Sequence, residues 1–362
     1  TETDATDEDP AAGLLGERRV VVALALMGGV LVAAGVAALL VERWESIPAA
    51  LRATILVVVP LSAAVAGARL ERTSPRTAHG LWLLAALFTG VSLFQLAELA
   101  TAIDRDAAEP WLVGGWTVVS IVVAARIDSR PIGGLASALG AATVVTATTA
   151  ETPVLLVGFY GSVAYAAGLL ADGGIGDGPP GAGTAESPIP RFARTLRWTG
   201  GTFATVAVAP LVATGARRGD PAGAGTVLLA AVAAVAAAVA FRRVAGSRRA
   251  GYALIPAVVG PVSVAAAWTA AGLLESLAGA FVALACLLAS VLALVVGAVG
   301  LREASLANAA TLGFALGVVA FLVGPVADAV SGSIALVLAG LILLITGLGA
   351  ERGRRAVLAR ID

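Results

Sequence analysis

The feature that most constrains this chain is a recurrence of long apolar runs with charged breaks between them. Runs approaching the length of a bilayer span fall at about 20–41, 51–68, 79–100, 111–126, 132–150 and 153–171. Six more follow at about 198–216, 224–242, 251–273, 278–300, 308–328 and 332–350. Each is roughly 16–23 residues, or about 24–35 Å as a helix, against a hydrocarbon core of about 30 Å. The run at 111–126 is the shortest. With 59% hydrophobic and 13% charged residues and a mean hydropathy of +0.93, a single water-surrounded core could not hide this much apolar surface. The pattern predicts an all-α, polytopic integral membrane protein of about twelve transmembrane helices arranged as helical hairpins.

Charge at the breaks gives the threading. All 24 basic residues are arginine. About nineteen of the 24 fall on alternate connections: Arg18 and Arg19, Arg69 to Arg76, Arg126 and Arg130, Arg191 to Arg197, Arg242 to Arg249, Arg302, and Arg352 to Arg360. The other connections are acidic, with Glu42, Glu45, Asp104, Asp106, Glu109, Glu151, Asp220, Glu275 and Asp328. The positive-inside rule places the arginine-rich set, and with it both termini, on the cytoplasmic side of a plasma membrane.

The expected organisation is an acidic, solvated tail over 1–17, with a first six-helix half over 18–171. A Gly/Pro-rich cytoplasmic linker at 172–191 joins it to a second half at 192–350, and a basic tail closes the chain at 351–362. The tail lacks the basic n-region of a signal peptide. Arginine without lysine, an acidic start and abundant Ala, Gly and Val fit the composition of an archaeal or GC-rich halophilic source.

Counting removes several chemistries. One cysteine, Cys286, cannot make a disulfide or a thiolate metal site, and one histidine, His79, cannot make a histidine-rich one. Neutral overall charge argues against a nucleic-acid partner. No catalytic residues, cofactor or metal are expected, and the chain reads as a non-enzyme. Depth counted along each helix places the acids near the outer surface and the arginines at helix ends. This weighs against an ion-coupled relay.

Softer candidates remain. Gln95 and Glu98, spaced i,i+3 on one helix face, with Asp104 and Asp106 form a candidate outer vestibule. Tyr160, Thr205, Pro256, Pro261 and Ser263 are the candidates for a midplane cavity. Pro256 and Pro261 flank Gly260 as in the broken helices of transporters, although proline is also tolerated in plain membrane helices. Trp44, Trp82, Trp111 and Trp198 suit interfacial anchors. Arg52, on the acidic side, calls for a partner such as Glu45 or Glu42.

In the first hairpin turn, Arg43, Trp44, Ile47, Pro48, Leu51 and Arg52 match an Asn/Arg-Trp-x-x-hydrophobic-Pro-x-x-Leu-Arg pattern. The chain here resembles the DUF2157 family of predicted multi-spanning membrane proteins. Gln95, Asp104 and Trp111 fall on the family's third helix, acidic loop and fourth helix, and "RIDSRPIGGLA" is similar to its following turn. Asn308, Asp328, Gly340 and the Arg352 to Arg355 cluster resemble its closing hairpin, though "GPVAD" departs from the usual aromatic before the acid. Residues 172–300 show no match. The resemblance implies architecture and no activity. The role it leaves is structural, sensory or accessory, with membrane lipids and another membrane subunit as the expected partners. The alternative is a secondary transporter or permease of a neutral small molecule or lipid.

Overall fold

The computed structural model describes residues 44–100, 105–147, 153–171, 190–214, 224–244, 248–274, 276–322 and 352. The expected spans at 20–41 and 332–350 lie outside them, as do the tail at 1–17, Asp104, Asp328 and most of the linker. The chain divides into two units, 1–58 and 59–362.

In the first unit, a 3-10 turn at Trp44–Ser46 leads into the start of a helix, α1, Ala49–Leu70. The Pro48 carbonyl accepts the first helical bond, from Arg52 N–H at 3.0 Å. Proline suits this place because its missing N–H would have had no intrahelical partner. The Arg52 Nε is buried without a hydrogen-bond partner among the described residues, and Glu42, one of the two partners expected for this arginine, lies outside them.

The second unit continues α1 and adds α2 (Pro75–Leu99), α3 (Arg105–Ile127), α4 (Arg130–Ala147), α5 (Pro153–Ala171) and α6 (Pro190–Val206). It goes on with α7 (Ala209–Thr214), α8 (Ala224–Val244), α9 (Arg248–Leu273), α10 (Ser276–Leu301) and α11 (Ala304–Phe321). No strand occurs among the described residues. Among the described residues, seven helical segments are long and apolar enough to cross a bilayer: α1, α2, Ala107–Ile127 of α3, α5, Gly251–Ala270 of α9, Ala278–Leu301 of α10, and α11. The shortest expected run, 111–126, is therefore one end of a full-length span.

Large apolar side chains point outward along these helices, among them Val118, Val122, Val235, Val262 and Leu292. Exposure of that kind is costly in water and natural in lipid. The interior is instead made of small residues. Ala253, Ala257, Ala298, Ala309 and Ala310 pack around Tyr165 and Leu169 in one cluster. Ala233, Ala267 and Ala283 pack with Leu155, Val264 and Leu287 in another. Inside a bilayer, close contact between small side chains replaces the hydrophobic drive that water supplies elsewhere.

One helix departs from the hydropathy reading. The expected span at 198–216 begins eight residues earlier, at Pro190, and breaks at Ala207 and Val208 before α7. Arg191, Arg194 and Arg197 hide its first turns from any apolar window, yet α6 is the hub of the unit, touching α4, α5, α9, α10 and α11. The backbones of α5 and α6 meet at glycine on both sides. A Cβ on Gly161 would lie 2.5 Å from Ala204 N and 2.6 Å from Gly200 O, so only glycine permits this approach.

Candidate functional site

The arginine-rich helix ends hold the site. Two of their turns have the same construction. The α3–α4 turn passes through Asp128 at φ 47°, and the α10–α11 turn passes through Arg302 at φ 54°. Neither is glycine, although left-handed backbone costs an ordinary residue roughly 1–2 kcal/mol. Each turn is closed by a bond reaching back five residues, Ser129 N–H to Ala124 O at 3.2 Å and Glu303 N–H to Ala298 O at 2.9 Å. This is the Schellman closure, which satisfies a carbonyl left over at the helix end.

Both turns aim a carboxylate at α6. The Asp128 Oδ1 accepts the Phe192 N–H at 2.8 Å, capping the start of α6 from another element. Glu303 takes Arg197 by two points: Nε to Oε2 at 3.3 Å, and Nη2 to Oε1. Arg194 Nε stands 3.8 Å from the same Oε1. A third Arg197 nitrogen, Nη1, donates to Gly168 O on α5 at 3.0 Å. Arg197 is 2% exposed and Glu303 7%, so this is a buried ion pair about 10 Å inside α6, and not the helix-end arginine that depth counting expects. Tyr165 beside it donates to Ala253 O at 3.0 Å, tying α5 to α9.

A third carboxylate, Glu71 after α1, accepts Arg126 Nη1 at 2.9 Å and Trp82 Nε1 at 3.0 Å. The Arg126 guanidinium also lies over the Trp82 ring, 5.6 Å from its centroid, a cation–π arrangement. Glu71, Asp128 and Glu303 are acids on connections dominated by arginine. That exception to the charge trend is the sequence signal that points to them, and the apolar-run reading passes over it.

Two cavities open beside these groups. One of about 370 Å³ is lined by His79, Asp128, Ser129, Arg130, Pro131 and Arg191. A smaller one of about 200 Å³ lies against Glu71, His79, Trp82 and Arg126. Groups from the turns after α1 and α3 and from the starts of α2, α4 and α6 thus meet at one end, as alternation of the charged connections requires.

The residues singled out for a midplane cavity are dispersed. The Tyr160 hydroxyl sits where Gly140 of α4 lacks a side chain, and its ring leans on Phe203 at 6.2 Å between centroids. Thr205 is buried against Gly313 of α11, and Pro256 against Gly297 of α10. Ser263 is buried. Pro261 faces elsewhere, into an apolar groove of about 550 Å³ between α8 and α9. The helix α9 runs unbroken through both prolines. Of the vestibule candidates, Gln95 Nε2 donates to Glu98 Oε2 at 2.9 Å, and Asp106 stands in the first turn of α3. Among the described residues no group of three or more His, Cys, Asp or Glu side chains could hold a metal ion.

Residues 3–133 match the family model DUF2157, described as a predicted membrane protein. That stretch contains the Arg43 to Arg52 turn, the Gln95 to Trp111 segment and the Asp128 turn; the closing hairpin lies outside it. No curated protein and no solved structure matches the chain.

Proposed function

We propose that this DUF2157-matching chain is a non-enzymatic membrane scaffold of structural, sensory or accessory kind, with a closed interior and a working arginine-rich face. The observation that carries the reading is the glycine packing. Tyr160, Thr205 and Pro256 each fill the space beside a glycine on a neighbouring helix, where a permeation path would need room. Charge alternation supports a plasma-membrane orientation with the arginine-rich ends and both termini in the cytoplasm. Membrane lipids are its surroundings, and a second membrane subunit is the partner class that a scaffold of this kind serves.

The sole cysteine makes a clean test. In a Cys286→Ala background, Thr205→Cys and Ser263→Cys are exposed to a charged thiol reagent from each side of sealed vesicles. A closed interior leaves both unlabelled until the protein is unfolded. Labelling from the aqueous phase would overturn the reading in favour of the alternative, a permease for a neutral solute or lipid.

A further inference from the structure

We propose that the cavity lined by His79, Asp128, Arg130 and Arg191 binds a terminal phosphate group of the phosphomonoester class. This goes beyond the scaffold reading and does not depend on it. Three features point the same way.

The first is the pattern of pairing. At this end of the unit Arg126 faces Glu71, and Arg194 and Arg197 face Glu303. Among the described residues Arg130 and Arg191, which line the cavity, have no carboxylate within salt-bridge distance, and both are exposed. Two guanidiniums stand there against one carboxylate, and that carboxylate is already engaged by Phe192 N–H.

The second is the backbone. Arg130 opens α4 and Arg191 lies in the first turn of α6. The leading N–H groups of a helix have no carbonyl within it, and its dipole favours an anion there. Two helix starts converge on one cavity already lined by arginines; Pro131 and Pro190 carry no N–H and Asp128 holds that of Phe192, so what these starts supply there is chiefly their dipoles.

The third is His79. Its Nδ1 lies 2.7 Å from Pro75 O. A carbonyl can only accept, so Nδ1 carries the hydrogen and Nε2 of the neutral ring is an acceptor. In its monoanionic form, below a second pKa of about 6, a phosphate monoester offers charged oxygens to arginine and a P–OH to such an acceptor, as inorganic phosphate also does, whereas a phosphodiester has no proton to give. At about 370 Å³ the cavity also leaves space for an organic substituent on the phosphate.

A soluble phosphomonoester and phosphatidic acid share this chemistry, and one experiment separates them. His79 is the only histidine, so ¹⁵N-histidine labelling gives one pair of ring resonances. Inorganic phosphate is titrated at about pH 6.5, where a fraction of a phosphomonoester still carries its P–OH, into the protein in micelles, with sulfate as the comparison. In parallel, the protein is placed in nanodiscs of phosphatidylcholine with and without phosphatidic acid. The His79 signals move saturably with phosphate, less with sulfate, or with phosphatidic acid; the responding arm identifies the source. Arg130→Gln with Arg191→Gln weakens the response about tenfold or more, since charge-assisted bonds are lost. Arg130→Lys with Arg191→Lys retains part of it, and Arg76→Gln, on an exposed arginine outside the cavity, leaves it unchanged. No movement in either arm, equal response to sulfate, or an undiminished response in the glutamine double variant overturns the proposal.

Discussion

Arg197 on α6 and Glu303 at the head of α11, 106 positions apart in sequence, form a two-point ion pair closed off from solvent. The arginine also holds Gly168 O, so one side chain joins three helices. Removing a single partner leaves a buried charge without its counter-ion, a loss of about 3–5 kcal/mol. Glu303→Ala should therefore lower the unfolding midpoint in detergent sharply. Arg197→Met combined with Glu303→Leu should cost much less than the two single changes summed, because the apolar pair leaves no stranded charge. If Glu303→Ala unfolds like the parent, the pair does not hold α6 in place.

The α5–α6 crossing gives a matched comparison between two glycines. A Cβ on Gly161 would press on the α6 backbone at Ala204 and Gly200, neither of which can turn aside as a side chain would. Gly161→Ala should destabilise by about 1–3 kcal/mol through forced separation of the helices. At Gly80 a Cβ meets nothing within 4 Å. Gly80→Ala should stabilise by roughly 0.5–1 kcal/mol from helix propensity alone. Equal responses in chemical unfolding would mean that the close approach is not a constraint.

Most of the fold is legible in the apolar runs, because length and hydropathy are what lipid selects. The helices α1, α2, α3, α5, α9, α10 and α11 all fall on expected spans. The hub, α6, is displaced because its first turns carry three arginines, and a window that scores apolarity reads them as loop. What Arg194 and Arg197 do depends on Glu303, supplied by a turn far along the chain. Spacing within one helix carries no trace of such a partner. The same holds for Tyr160, Thr205 and Pro256, where polarity and a kink-prone residue suggest a cavity. The deciding fact is a glycine on a different helix.

Asp128 performs two tasks that substitution can separate. Its backbone is left-handed, which Asn tolerates nearly as well as Asp, and its carboxylate caps Phe192. Asp128→Asn keeps an oxygen acceptor and should change stability by less than about 0.5 kcal/mol. Asp128→Ala loses the cap and also meets the left-handed penalty, for a cost of about 2–3 kcal/mol. Asp128→Gly should fall between the two, relieving the backbone while losing the cap. Thermal midpoints of the three variants in one detergent test this order; Asn and Ala behaving alike would show that the carboxylate oxygen contributes nothing.

Orientation rests on the arginine bias and can be read at two positions on successive connections. Arg76 is exposed at the start of α2, and Glu109 is exposed at the start of α3. Between them α2 contributes 25 residues, about 37 Å of helix, enough to cross the hydrocarbon core. The energetic cause of the bias acts during insertion, when guanidinium groups near span ends resist transfer across the membrane while acids do not. In the Cys286→Ala background, Arg76→Cys should react with an impermeant thiol reagent only in inside-out vesicles. Glu109→Cys should react only in right-side-out vesicles. Reaction of both from one side would mean that α2 does not cross and that alternation fails at its first tested step. A clean exchange of sides would keep the alternation and reverse the orientation, placing the phosphate cavity outside the cell, where cytoplasmic phosphomonoesters could not reach it.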